Sequence, residues 1–139
     1  MWIFYAALSA LGAAGVAIFA KVGLKGADAT LAATARAVLM AIILIIVVAI
    51  SRNGRWFSIS EFTGREWKYI FLAALAGAMS WLFYFLALKT GTAIHVAAID
   101  RASIVLVVFF AAMFLGESFT WQTALGSLFI LAGAWLLIK

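Results

Sequence analysis

The chain has 139 residues, 68% hydrophobic and 11% charged, against about 45–50% and about 25% in ordinary soluble domains. That balance excludes a water-soluble globular domain and marks an integral membrane protein. With no cysteine and one histidine there is no disulfide framework, no thiolate metal site and no basis for a zinc centre, so no metal or cofactor is expected. The net charge of +5 would suggest nucleic acid in a soluble chain. Here most Lys and Arg residues flank apolar runs, where they set membrane orientation, and no nucleic-acid partner is expected.

The first uncharged run, residues 1–20, has about the ~20 residues needed to cross ~30 Å of hydrocarbon. No Lys or Arg precedes it, so it lacks the basic start of a signal peptide and reads as a retained span. Ala6, Ala10, Ala14 and Ile18 recur at four-residue spacing and predict a face that another helix approaches closely. After the turn KVGLKGAD, Asp28 suits the N-cap of a second span, 29–51, with a substrate contact as the rival role. Arg36 lies about two turns into that span, on a stripe with Ala29, Ala32, Ala33 and Met40; a structural ion pair and a substrate contact are both open to it.

Residues 52–68 form the only sizeable loop, and their Arg, Lys, Trp and Phe fit the headgroup zone. Thr63-x-x-Glu66 is a capping-box pattern that starts a helix near Gly64, and the third span follows over 68–88. Gly77, Ser80, Trp81 and Tyr84 fall on one face of it. Trp81 sits deeper than a simple aromatic belt requires, although an aromatic stripe more often packs than binds. The fourth span covers 93–116. Thr120 or Ser118 can cap a fifth, 119–138, with Glu117 near its positive dipole end and Gly126 and Gly133 as packing notches.

The fourth span places adjacent opposite charges, Asp100 and Arg101, in a run otherwise fit for lipid. A charge near the bilayer centre costs from ~2.5 to more than 10 kcal/mol, so such residues persist where they pair or line a watery path. Helix neighbours point ~100° apart, so these two do not simply face each other. Asp100 shares a stripe with Ala93, Val96, Ala97 and Ser103, a face that wants protein or water.

Five spans put the two termini on opposite sides. One side carries Arg52, Arg55, Arg65 and Lys68, the other Lys21, Lys25, Lys89 and Lys139, four against four, so the positive-inside rule gives almost no preference and dual insertion follows. Counting the embedded Arg36 and Arg101 with the second side makes it six against four. Spans two and four enter from that second side, putting Arg36 and Asp100 at about 10–12 Å depth, where they could pair. Trp81, Tyr84 and His95 belong to the same half. Two copies inserted in opposite senses would reproduce the inverted repeats of alternating-access carriers.

The segments AKVGLKGADATLAATAR, SWLFYFLALKTGTAIHVAAIDRAS and FLGESFTWQTALGSLFILAGAWLL resemble the five-span bacterial and archaeal transporters of the drug/metabolite transporter superfamily, EamA type. The resemblance covers nearly the whole chain. Its most specific part joins the third and fourth spans. It implies an all-α, five-span domain over 1–139 in a prokaryotic inner membrane; with the balanced charge count, the expectation is an antiparallel homodimer of ten helices. It also implies export of a small polar or amphipathic metabolite by a secondary transporter, with no enzymatic chemistry. The family-like positions are Lys21, Asp28, Arg36, Trp81, Tyr84, Asp100, Arg101, Ser103 and Glu117.

Two positions depart from the family. His95 replaces a usual Lys with a group that titrates near neutral pH, and Ala98 replaces a usual Pro, removing an expected helix irregularity. Arg36 and Arg101 would meet a substrate carboxylate or balance Asp100, and Trp81 and Tyr84 would wall the cavity. Pairing and burial push the ionisation of Asp100 in opposite senses, leaving proton exchange open. A non-transporting scaffold, or half of a heteromeric carrier, are the alternative readings.

Overall fold

Local sequence signals set most of the helix starts. In the computed structural model, which describes residues 1–51 and 61–139, the helices are α1 (Trp2–Gly23), α2 (Ala29–Ser51), α3 (Gly64–Thr90), α4 (Ala93–Arg101), α5 (Ser103–Phe110) and α6 (Trp121–Ile138). A π turn, Ala111–Leu115, follows α5. Arg52 and Arg55, counted above among the orienting charges, lie outside the described residues.

Asp28 caps α2: its Oδ1 accepts the N–H groups of Thr30 and Leu31, both at 2.9 Å. At α3, Glu66 Oε2 accepts the Thr63 N–H at 2.8 Å while Thr63 Oγ1 accepts the Glu66 N–H at 3.5 Å, the reciprocal capping box. Phe62 and Trp67, just outside and one turn inside that start, meet edge to face at 5.6 Å as a hydrophobic staple. The helical segment therefore begins at Gly64, so Arg65 and Lys68 are helical rather than part of a loop running to 68. Thr92 and Thr120 cap α4 and α6 through the N–H groups of His95 and Thr123.

Among the described residues, five helical stretches are long and apolar enough to cross a membrane: α1, α2, α3, the run Ala93–Leu115 and α6. Their apolar side chains lie largely open. Ile42, Ile43, Ile45, Ile46 and Val47 of α2 are each about half exposed, an apolar surface that water does not tolerate at this extent. The chain is therefore a multi-pass membrane protein.

It falls into two units, Gly23–Lys89 and Met1–Val22 with Thr90–Lys139. In the first, the buried side chains are Leu24, Ala29, Phe85 and Leu88, at the end where α2 begins and α3 finishes. In the second, α4 and α5 both pack on α6, and Ala17, Val96, Ala98, Ser127 and Ala134 are buried. Small residues at this contact let helix backbones approach closely. Ser127 satisfies its hydroxyl within its own helix, donating to the Ala124 carbonyl at 2.8 Å.

Two packing expectations are corrected. Ala6, Ala10, Ala14 and Ile18 are all exposed, and the covered side of α1 is that of Ala13, Ala17 and Ala20. Gly126 and Gly133 face open space, and the buried small residues of α6 are Ser127 and Ala134, one position further on. On an apolar helix, four-residue spacing of small side chains occurs on more than one face, and composition does not say which one a neighbour uses.

The fourth span is also corrected. Without proline it was expected to be regular, yet the α pattern lapses at Ala102. The Ala102 N–H reaches back only three residues, to Ile99 O at 3.0 Å, and Val105 N–H likewise reaches Ala102 O at 3.2 Å. The span then loosens into the π turn and stops at Gly116, whose φ of 68° a side chain with a Cβ rarely adopts.

The cap on α2 yields a pH prediction. The Leu31 N–H chiefly, with the Thr30 N–H and nearby Lys89, holds the Asp28 carboxyl below its ordinary value of 3.8. A lowered folded value means the ionised cap contributes stability that is present above the unfolded pKa and lost as pH falls through the folded one. Asp28→Asn keeps a capping oxygen but not the titration. Between pH 6 and 3 the wild type should therefore lose more melting temperature than Asp28→Asn; parallel profiles would contradict the assignment.

Candidate functional site

Arg36 and Trp81 come together within the Gly23–Lys89 unit. Arg36 lies seven residues into α2 and Trp81 nine residues before the end of α3, depths of roughly 11 and 13 Å at ~1.5 Å per residue. The Arg36 Cζ sits 3.6 Å over the centre of the Trp81 ring. Trp81 in turn meets Tyr84 edge to face at 5.5 Å and Phe85 at 6.3 Å. Arg36 is partly buried, and among the described residues of its unit no neighbouring carboxylate balances it. Its attraction to the ring is worth about 0.5–2 kcal/mol, rising as water is excluded.

This pair stands in a groove of about 540 Å³ between α2 and α3. On α2 it is lined by Thr30, Ala33, Thr34, Arg36, Ala37, Met40, Ala41 and Leu44, and on α3 by Ala74, Ala78, Trp81 and Leu82. Alanines line much of it and leave room where larger side chains would fill the space. Its volume falls within the ~300–1,000 Å³ typical of small-molecule sites. Thr30, Thr34, Ala37, Ala41 and Leu44 were not singled out from the sequence. Their signal was the ladder of three- and four-residue steps that they share with Ala33. Phe85 was missed as well, four residues beyond Trp81.

The remaining candidates lie in the other unit or at helix ends. Asp100 and Arg101 are exposed at the end of α4, and Ser103, also exposed, opens α5 on the far side of the Ala102 irregularity. His95 occupies the first turn of α4 with its N–H on Thr92 Oγ1 at 3.3 Å. Lys21 Nζ donates to the Gly91 carbonyl at 2.7 Å, tying the end of α1 to the turn before α4. Asp28 is the α2 cap. Glu117 is exposed just after Gly116, its N–H directed to Ala111 O at 3.3 Å. Among the described residues no cluster of three His, Asp or Glu side chains could hold a metal ion.

A cationic groove within one helix pair, and a charge pair beside an irregular turn of another span, define a multi-pass membrane protein with polar chemistry inside its apolar segments. The chain matches the EamA-like transporter family over residues 1–139 and belongs to that family. It is also similar to a Sinorhizobium sp. protein named "Uncharacterized transporter in cobO 3'region", with 44% identity over 136 residues, 98% of this chain and 95% of that protein. No solved structure matches it.

The Arg36–Trp81 contact is testable by a double-mutant cycle. Arg36→Gln, Trp81→Leu and the double variant, unfolded in lipid–detergent micelles, should show a coupling of about 0.5–2 kcal/mol. Strict additivity would show that the stacking contributes nothing.

Proposed function

We propose that the protein is a secondary transporter that exports a small polar or amphipathic metabolite by alternating access. In this reading each chain is one five-span domain of a prokaryotic inner membrane, working as an antiparallel homodimer. Family membership supports the transporter role. The observation that carries the mechanism is the lapse of the fourth span at Ala102, immediately after Asp100 and Arg101. Carriers commonly build their sites where a membrane helix is interrupted, because the loosened backbone there can turn toward ligand or water.

Asp100 and Arg101 then act at the interruption, with Ser103 as a polar contact. Arg101 receives an anionic group or balances Asp100, and Asp100 exchanges a proton for substrate, with His95 as a second titrating group. Arg36 and Trp81 wall a binding groove, and Tyr84 braces the Trp81 ring from the side. Lys21, Asp28 and Glu117 take structural parts: a carbonyl tie, a helix cap and a loop position near a helix start. The dual-topology assembly is supported by the four-against-four distribution of flanking charges.

The structural use of Lys21 and Asp28 favours a second reading, a scaffold in which charges only lock the fold. Flux in liposomes separates the two. Asp100→Asn should cut flux at least about tenfold, in line with the loss of a group acting in the transport step, while insertion and melting temperature stay near wild type. If instead the variant unfolds and Arg36→Gln rescues its stability, the scaffold reading stands.

The assembly has its own test. Reporters fused after Lys139 should be found on both sides of the membrane in comparable amounts. Arg52→Ala with Arg55→Ala, and Lys21→Ala with Lys25→Ala, should bias insertion in opposite senses and each lose activity. Co-expression of the two should restore it. A wild type held in a single orientation contradicts the antiparallel pair.

A further inference from the structure

Among the described residues the α2–α3 groove contains one formal charge, Arg36, and the way that charge is held restricts what it can bind. A Cζ only 3.6 Å above the ring centre requires the guanidinium to lie flat, because an N–H aimed into the ring would hold the carbon further off. Lying flat uses the face of the group and leaves its N–H edge free. That edge is the side that matches a carboxylate with two parallel hydrogen bonds. Trp81 thus acts as a platform that fixes the plane of the cation.

The rest of the lining supplies no counterpart for a ligand cation. Among the described residues it contains no carboxylate or carboxamide side chain, and its hydroxyls belong to Thr30 and Thr34. The Thr34 hydroxyl donates to the Thr30 carbonyl at 2.8 Å, so it can offer a ligand an acceptor lone pair but no negative charge. From Arg36 the α2 wall continues through Ala37, Met40 and Ala41 to Leu44, about 12 Å at ~1.5 Å per residue. An ammonium group placed there would lose its water with nothing to replace it.

We infer that the groove binds a monoanionic amphiphile, its carboxylate on the edge of Arg36 and its apolar chain along Ala37–Leu44, and that it discriminates against zwitterions and cations of the same length. This names the substrate class within the transporter reading and rests on it only for flux, since the binding itself is measurable separately. Such an anion can arrive from water or from the lipid.

The test uses the full chain in nanodiscs, with empty nanodiscs as the blank, and radiolabelled octanoate, octylamine and 2-aminooctanoate as probes. In phosphatidylcholine discs octanoate should bind saturably, and the amine and the zwitterion at least about tenfold more weakly, as expected for loss of a charge-assisted hydrogen-bonded contact. Arg36→Gln should lower octanoate affinity by a similar factor of roughly ten. Arg36→Lys should recover only part of it, and Ala37→Leu, which narrows the apolar part, should weaken binding with the charge intact.

Repeating the titration in phosphatidylglycerol discs separates the two sources. Unchanged binding supports a water-borne anion, and competitive loss supports a lipid anion in the same groove. Equal affinity for all three probes, no saturable binding in phosphatidylcholine, or octanoate binding indifferent to Arg36→Gln with the protein folded would overturn the inference. Binding as expected without flux of any anion would keep the groove assignment and sink the transporter reading. Flux that survives Arg36→Gln and ignores octanoate would do the reverse.

Discussion

Placing charge inside a hydrocarbon layer is the constraint on which the rest of the structure depends. An embedded Arg costs from ~2.5 to more than 10 kcal/mol before it finds a partner, and a cation–π contact returns only about 2 kcal/mol at best. The Trp81 ring therefore cannot by itself account for Arg36. On the proposed reading, what accounts for it is the groove beside it, as a space open to water or to an anionic ligand. The alanines along α2 and α3 are the means: each omits a side chain that would otherwise close the space. In this sense small residues, more than the charge, mark the site.

The same constraint acts on the backbone. Peptide groups in lipid must be satisfied within the protein, so the fourth span cannot break open. At Ala102 it tightens by reaching three residues back, and at Ala111–Leu115 it widens into a π turn that ends with the Gly116 N–H on the Ala111 carbonyl. These adjustments occur without proline. They lie on either side of α5, so the turn bearing Asp100 and Arg101 is joined to α6 through a short helix with an irregularity at each end. Such a span can change direction locally at either irregularity.

Much of this was readable in the sequence, and the boundary of what was readable is physical. The caps at Asp28, Thr63–Glu66 and Thr120 depend on contacts within a few residues, and the five spans on length and apolarity alone. Counting residues in from the span ends put Trp81 in the same half as Arg36, but it set Arg36 level with Asp100 and did not foresee the stacking on Trp81. Which face of α1 or α6 is covered did not follow. Lipid is as apolar as leucine, so helix contacts in a membrane are not marked by a hydrophobic stripe. The lapse at Ala102 also escaped, because alanine is a strong helix former and only tertiary packing can impose such a turn.

The central claim, that the Arg36–Trp81 groove is a polar space within the membrane and not a packing defect filled by lipid, is most directly tested by thiol accessibility. The chain has no cysteine of its own, so single substitutions report without background. Ala33→Cys, Ala37→Cys and Ala78→Cys, in permeabilised membranes, should react with a charged, water-soluble maleimide far faster than Ile43→Cys and Ile46→Cys on the exposed apolar side of α2. Octanoate should slow the groove positions alone. Groove and apolar positions reacting equally slowly would show a lipid-filled gap, and the account of Arg36 as a binding residue would fail.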